Sequence, residues 1–342
     1  MKILHLLASN KYSGAENVVC QIIKMFDGEI EMAYCSPNGD IAKSLESKNI
    51  KFLPLKKLSM GEIKRVVKEY KPDVVHAHDL KATILASRLK GVKVVSHIHV
   101  NHPEMKKLSL RSILSLFAFK KVKHIYWVSK SAYEEYFFKN RIKNISEVLP
   151  NIISMENLYN NLKKTNDKQG FDVVYCGRIT EQKDPFRIVE IAKILHKNLQ
   201  NVTFGVLGDG DMLEKTKKYA DEIGDTKSLS FLGFLNNPFE IIKESKIMIL
   251  TSKFEGTPMV ALEALSLGTP IVSTKTDGMV DLLNDKIGAL YDTNEEARDI
   301  IVNLLQDKSK LEKMSQEAIV FSKNYNDIEK YKAKLKVAYG VK

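Results

Sequence analysis

The chain has 342 residues, 44% of them hydrophobic and 28% charged, with 17 Gly and 9 Pro. That is the composition of a folded globular protein with room for about two domains, and it excludes collagen-like, low-complexity and disulfide-stapled miniature folds. The formal net charge of +11 is unevenly placed: residues 1–150 hold 26 Lys and Arg against 14 Asp and Glu, and residues 81–130 hold eleven basic residues against one acid, Glu104. Such a segment seeks an anionic partner.

In chain order, the apolar run at the start is broken by His5, so it falls short of a signal peptide and predicts a first buried strand. Further strands are predicted at EIEMAYC (29–35), KFLPL (51–55), DVVHAHD (73–79), KVVSHIH (93–99) and HIYWVS (124–129). After a break come DVVYCG (172–177), VTFGVLG (202–208), LSFLG (229–233), KIMILTS (246–252), TPIVSTK (269–275) and GALY (288–291). Helix-length segments separate most of them, which implies right-handed βαβ units and parallel sheets. Ser13 with Glu16, Ser59 with Glu62 and Ser131 with Glu134 have capping-box spacing, and Asp184-Pro185 offers an N-cap and an N1 proline. The fold class expected is α/β, two doubly wound Rossmann-like domains facing a central cleft. The expected boundaries are 1–152, a linker at 153–169 rich in Asn and Lys, 170–327, and a last helix at 328–342 crossing back to the first domain.

The segment MKKLSLRSILSLFAFKKVKH (105–124) mixes Leu, Ile and Phe with flanking basic residues. An interfacial helix on a membrane has this pattern, and so has a core helix with solvated lysine ends. Nucleic acid is disfavoured, since aromatic residues are not interleaved with the charge. No stretch approaches the roughly 20 apolar residues of a membrane span. Cys20, Cys35 and Cys176 lack ligand spacing and are odd in number, which fits a reduced cytoplasm.

In doubly wound sheets ligands bind beyond the carboxyl ends of strands, and the motifs here follow strands. In KIMILTSKFEGTPMVALEALSLGTPIV, Glu255-Gly256 leads to Thr257 as N-cap and Pro258 at N1 of an apolar helix stopped by Gly268. Its N-terminus attracts a phosphate. Glu263, inside that helix between Leu262 and Ala264, is a candidate ligand residue. In VVYCGRITEQKDP, Gly177 ends a strand with a tight turn, and Arg178 and Lys183 have the chemistry to clamp a diphosphate. Gly14, in ASNKYSGAE, is free to let backbone approach a ligand. GDGD at 208–211 reads as a turn with Asp211 as N-cap. His76 and His78 share one strand face and His97 and His99 another. No carboxylate or cysteine set accompanies them, so no metal site is expected and a hydrogen-bonding role is assigned, His99 first.

The Glu255-x7-Glu263 helix, the Gly177-Arg178…Lys183 loop, the GDGD turn and the Gly14 loop resemble, in order and spacing, the family 4 retaining glycosyltransferases of the two-Rossmann GT-B fold. The resemblance implies transfer of a sugar from a nucleotide donor, UDP-linked ahead of GDP-linked, to an acceptor hydroxyl. Configuration is retained, with no metal and no cofactor. It puts Arg178 and Lys183 at the diphosphate and Glu263 at the ribose. Glu255, Gly256, Thr257, Met259 and Val260 fall at the donor, Gly14 and Gly177 in phosphate loops, and His99 near the transferred sugar. Ser13-Gly14 stands where the family often has two glycines, Asp277-Gly278 replaces a glycine pair, and Asp281 stands where a glutamate is usual. The first domain binds the acceptor in this family. Its basic segment therefore points to a lipid-linked saccharide at the anionic inner face of the cell membrane. A sugar-nucleotide 2-epimerase of the same fold and a non-catalytic module for anionic surfaces are the alternatives.

Overall fold

In the computed structural model, which describes residues 1–100, 102–162, 170–224 and 228–341, the chain divides into two compact units. Unit 1 comprises Met1–Ile152 and Asp327–Lys342, and unit 2 comprises Ile153–Asn326. Among the described residues each holds one six-stranded sheet whose paired strands run parallel.

In unit 1 the strands are β1 (Lys2–Leu6), β2 (Glu31–Cys35), β3 (Val74–Ala77), β4 (Lys93–Ile98), β5 (His124–Trp127) and β6 (Ser146–Val148), in the order β2-β1-β3-β4-β5-β6. Alternation along these strands makes two unlike faces. One carries Leu4, Leu6, Ala33, Cys35, Val75, Ala77, Val94, Ile98, Ile125 and Trp127, all in one apolar core with Ile63, Val66 and Phe119 of the covering helices. Burying each such side chain contributes about 1.5–3 kcal/mol. The other face is aromatic and polar: Tyr34, His5 and His76 lie side by side in register, and His97 is beside Tyr126. Helix Ile328–Tyr339 joins this unit, with the Tyr339 hydroxyl 2.8 Å from His76 Nδ1 and the Tyr126 hydroxyl donating to Lys334 O at 2.7 Å.

In unit 2 the strands are β7 (Val173–Cys176), β8 (Phe204–Leu207), β9 (Leu229–Gly233), β10 (Ile247–Leu250), β11 (Ile271–Thr274) and β12 (Gly288–Tyr291), in the order β12-β11-β10-β7-β8-β9. β7 and β10 are thus neighbours at the centre, far apart in sequence. Their facing residues Val173, Tyr175, Ile247 and Ile249 belong to a core with helices Pro185–Asn198 and Asn294–Gln306.

Several local expectations are corrected. KFLPL forms no named strand: it runs beside β2 and the residues after it through isolated bridges of Phe52 to Tyr34 and Leu55 to Pro37, with Leu53 N donating to Tyr34 O at 2.8 Å and Leu55 N to Ser36 O at 2.9 Å. The short, polar β6 was not anticipated. Ser131 lies inside helix Lys130–Glu134, which Ser129 caps by accepting from Ala132 N. Ser13 makes no cap bond; its hydroxyl donates to the Glu16 carboxylate. Asp184 precedes Pro185 in the left-handed region without a side-chain cap, and Met212 rather than Asp211 is the N-cap of helix Leu213–Ile223. Residues 155–162, within the stretch read as a linker, form helix Met155–Leu162 and reach unit 2 through Tyr159 to Ser266 O and Asn237 to Asn161 O. Residues 163–169 of that stretch lie outside the described residues.

The GDGD turn is a steric necessity. Gly208 has φ +142°, and a Cβ there would stand 1.8 Å from Gly177 O; a Cβ on Gly210 would stand 2.2 Å from Ile179 O. Gly208→Ala is therefore expected to cost about 2 kcal/mol or more, lowering the unfolding midpoint by roughly 4–8 °C, which calorimetry of the full chain checks.

Candidate functional site

The carboxyl ends of β7 and β10 bring most of the candidate residues of unit 2 together. After β7 the chain turns at Gly177. Ile179 N donates to Asp209 O at 2.9 Å and Met212 N to Ile179 O at 3.0 Å, so the 208–211 turn cradles this loop. The loop closes in a 3₁₀ turn, Glu181–Lys183. After β10, residues 251–258 run beside it. Lys253 N donates to Gln182 O at 2.8 Å, Gln182 Nε2 to Phe254 O at 2.9 Å and the Thr251 hydroxyl to Lys183 O at 2.6 Å.

Between the two loops the Lys183 ammonium forms an ion pair with Glu255 Oε1, and the Ser252 hydroxyl donates to the same oxygen at 2.9 Å. Glu255 is buried. Its carboxylate is satisfied by two donors, as burial of a charge requires. Arg178, on the same loop, is exposed, and both it and Glu255 act on the Tyr175 hydroxyl. The structure joins Lys183 to Glu255 directly. Gln182, Thr251 and Ser252 escaped the sequence reading, since no spacing marks a residue whose role is to tie two loops.

Helix Met259–Ser266 follows, with Pro258 rather than Thr257 at the N-cap. Proline belongs there because it has no N–H to lose. Gly268, at φ +82°, ends it as expected. The N–H groups of Met259 and Val260, in its first turn, have no acceptor within the helix and remain available to an anion. Met259 and Val260 share a helical face with Glu263, at spacings of four and three. Gly278 holds the next helix, Asp277–Leu282, against this loop: a Cβ on it would meet Gly256 O at 1.8 Å.

Glu263 is half-buried, and burial pushes its carboxyl up to about 7. Cys176, at the end of β7, feels both the Glu263 carboxylate and the Lys183 ammonium, which places the two groups around one strand end. Burial pushes that thiol up to about 12, so it stays protonated and is no nucleophile.

In unit 1, Gly14 is the exposed first residue of helix Gly14–Met25 and is not in the left-handed region, so the conformational freedom expected of it is not used. His99 is 8% exposed and follows β4, stacked on His97 with ring centroids 4.2 Å apart. Burial lowers its pKa to about 4 and keeps it neutral. Two triads, His5 with His76 and His78 and His78 with His97 and His99, bring ring nitrogens within 4.8 Å of one another. Among the described residues no carboxylate joins either.

Glu263 generates a pH prediction. Its carboxyl titrates near 7 folded and near 4.5 unfolded, so the folded chain binds more protons between those values and loses stability as pH rises through them. Glu263→Gln removes this loss. The midpoint of the variant, relative to wild type, is expected to rise between pH 5 and pH 8, as thermal unfolding at both values reads.

Comparison with known proteins places the chain in a family. The family model described as "Glycosyltransferase Family 4" matches residues 12–157, and "Glycosyl transferases group 1" matches residues 159–321. An uncharacterized glycosyltransferase of Methanocaldococcus jannaschii is 28% identical, over 74% of this chain and 71% of its own length. The UDP-Gal:alpha-D-GlcNAc-diphosphoundecaprenol alpha-1,3-galactosyltransferase of Escherichia coli is 26% identical over 86% and 85%. The crystal structure of Anabaena HepE with UDP-glucose superposes with a TM-score of 0.87 at 19% identity, covering 99% of both chains. With each family model on one Rossmann-like unit, the chain belongs to the family 4 glycosyltransferases of GT-B fold.

Proposed function

We propose that the protein transfers a sugar from a UDP-linked donor to a hydroxyl of a lipid-linked saccharide, with configuration retained and no metal ion taking part. The reaction would serve polysaccharide or glycoconjugate assembly at an anionic membrane surface. The observation that carries the donor half is the junction at the ends of β7 and β10, where Lys183, Glu255 and Glu263 meet beside the helix N-terminus at Met259.

In this reading the Met259 and Val260 N–H groups, Arg178 and Lys183 bind the diphosphate, and Glu263 accepts hydrogen bonds from ribose hydroxyls. Glu255, held by Lys183 and Ser252, is a poor free nucleophile. The leaving diphosphate itself accepts the proton of the attacking hydroxyl, and the cations and helix terminus stabilise its developing charge. His99 is assigned a hydroxyl of the transferred sugar. The names of the E. coli relative and of a Staphylococcus aureus capsular polysaccharide glycosyltransferase, 24% identical over 77% of this chain, support the choice of acceptor class.

The acceptor half is supported by helix Leu110–Phe119. It is amphipathic in the inverted sense: Ser112, Ser115 and Ala118 are buried, while Leu110 is 74% and Phe117 61% exposed, with Leu114 and Leu108 also out. Exposed Lys107, Lys120, Lys121 and Lys123 flank the apolar stripe; Lys106 and Arg111 pair with Glu135 and Glu104. No helix among the described residues is long and apolar enough to cross a membrane. Such a stripe seats in the interfacial layer, each nearby cation contributing about 1 kcal/mol toward anionic lipid.

Because Arg178 is exposed, its loss should leave folding unchanged. Arg178→Ala is expected to lower turnover roughly a hundredfold at an unaltered midpoint. Wild-type turnover in that variant removes Arg178 from the diphosphate, and turnover abolished by EDTA overturns metal independence. If ribose hydroxyls donate to ionised Glu263, UDP binds about tenfold more tightly at pH 8 than at pH 6 by calorimetric titration, and Glu263→Gln abolishes the difference. For the membrane, wild type should co-sediment with anionic but not neutral vesicles at low salt. Leu110→Ser with Phe117→Ser should release it, and equal binding by that variant would leave the stripe without this role.

A further inference from the structure

We propose that Met32, acting through His5 and His78, fixes the tautomer of His99, with Nε2 protonated and Nδ1 an unprotonated acceptor, and so sets the one polarity that the ring presents after β4. The consequence for turnover rests on the reading that His99 meets the transferred sugar; the tautomer itself does not.

The argument is one of proton counting along a chain of contacts on the polar face of the unit 1 sheet. His5 Nε2 lies 3.4 Å from Met32 Sδ, His5 Nδ1 lies 2.9 Å from His78 Nε2, and His78 Nδ1 lies 3.1 Å from His99 Nε2. A thioether has lone pairs and no proton to give, so the proton at that end sits on His5 Nε2. A neutral imidazole carries one N–H, which leaves His5 Nδ1 a lone pair, and His78 Nε2 must donate to it. His78 Nδ1 is then bare and accepts from His99 Nε2. The last nitrogen, His99 Nδ1, is left without a proton. It is buried, on the side of the ring away from His78.

Neutrality holds at every link, because burial lowers His5 to about 3, His99 to about 4 and His78 well below the usual histidine value. At the far end Asn151 is the side chain beside His99, and an amide offers both a donor and an acceptor, so it does not choose the direction. Met32 does, since it accepts only. Running the chain the other way sets a lone pair of His5 against the sulfur lone pairs and forfeits one buried bond. A metal on either histidine triad is the competing use of these rings. Both nitrogens of His78 are already engaged in the chain, and a bound ion has to break those contacts.

The test is nitrogen NMR of the full chain labelled with ¹⁵N-histidine, without ligand, the His99 signals being assigned with His99→Gln. The expected result is a protonated Nε2 and a bare Nδ1 on His99 in wild type, and a mixture of both tautomers in Met32→Leu, which keeps the volume and removes the acceptor. His5→Phe cuts the chain one link later and is expected to give the same mixture, so a folding failure of either variant leaves the other. Turnover in Met32→Leu should fall about tenfold with UDP affinity unchanged, as loss of one oriented hydrogen bond predicts. The proposal is overturned by a protonated His99 Nδ1 in wild type, by an unaltered tautomer in the variants, or by zinc that shifts the His5 and His78 signals and raises the unfolding temperature. Absence of UDP binding would sink the functional reading alone and leave the tautomer result standing.

Discussion

The ion pair of Lys183 with Glu255 is the contact on which the organisation of unit 2 turns. It closes a separation of 72 residues between two loops that meet because β7 and β10 are adjacent in the sheet. A nearly buried pair of this kind adds little net stability, since desolvation offsets most of the attraction, but losing either partner strands a charge. Its effect is positional: it fixes Glu255 and the start of the following helix and holds a cation at the strand ends. In the proposed reading a diphosphate arriving there competes with Glu255 for the same ammonium, which would couple donor binding to the loop arrangement through one nitrogen.

The alternation of strand and helix was legible because buried parallel strands read as unbroken apolar runs, and IMIL of β10 or VVYC of β7 leave little room for another reading. KFLPL misled for the same reason, an apolar run that pairs only through isolated bridges at the edge of the sheet. Cap positions failed where the hydroxyl had a competing partner: Ser13 prefers the Glu16 carboxylate to the backbone of its own helix. The candidate site was read residue by residue. Lys183, Glu255 and Glu263 were each marked by type and position, but their pairing was hidden, because it depends on which strands are neighbours.

The two faces of the first sheet show how one alternating pattern serves different ends. The even-numbered residues Leu4 and Leu6 of β1 enter an ordinary apolar core, while His5 between them enters a layer of rings that stack and hydrogen-bond. Such a layer is costly unless its nitrogens find partners, and it carries an ordered proton arrangement that an apolar layer cannot. Helix Leu110–Phe119 inverts the usual rule again, presenting serines inward and leucines outward. Serines in the inner positions let the helix lie close against its neighbours, with the Ser115 hydroxyl 2.8 Å from that of Tyr136.

Helix Ile328–Tyr339 also has a temporal meaning. Tyr339 is fully buried against His76, and Lys332 and Lys336 pair with Glu29, so unit 1 is completed by residues synthesised after unit 2. A ribosome delivers all of unit 2 before this helix emerges. Until then the histidine face of the first sheet lacks its cover and Tyr126 has no Lys334 carbonyl to bond. Unit 2 is free to fold before this helix is made, whereas unit 1 waits for it, and the folding order in the cell runs opposite to the order in which the two sheets are encoded.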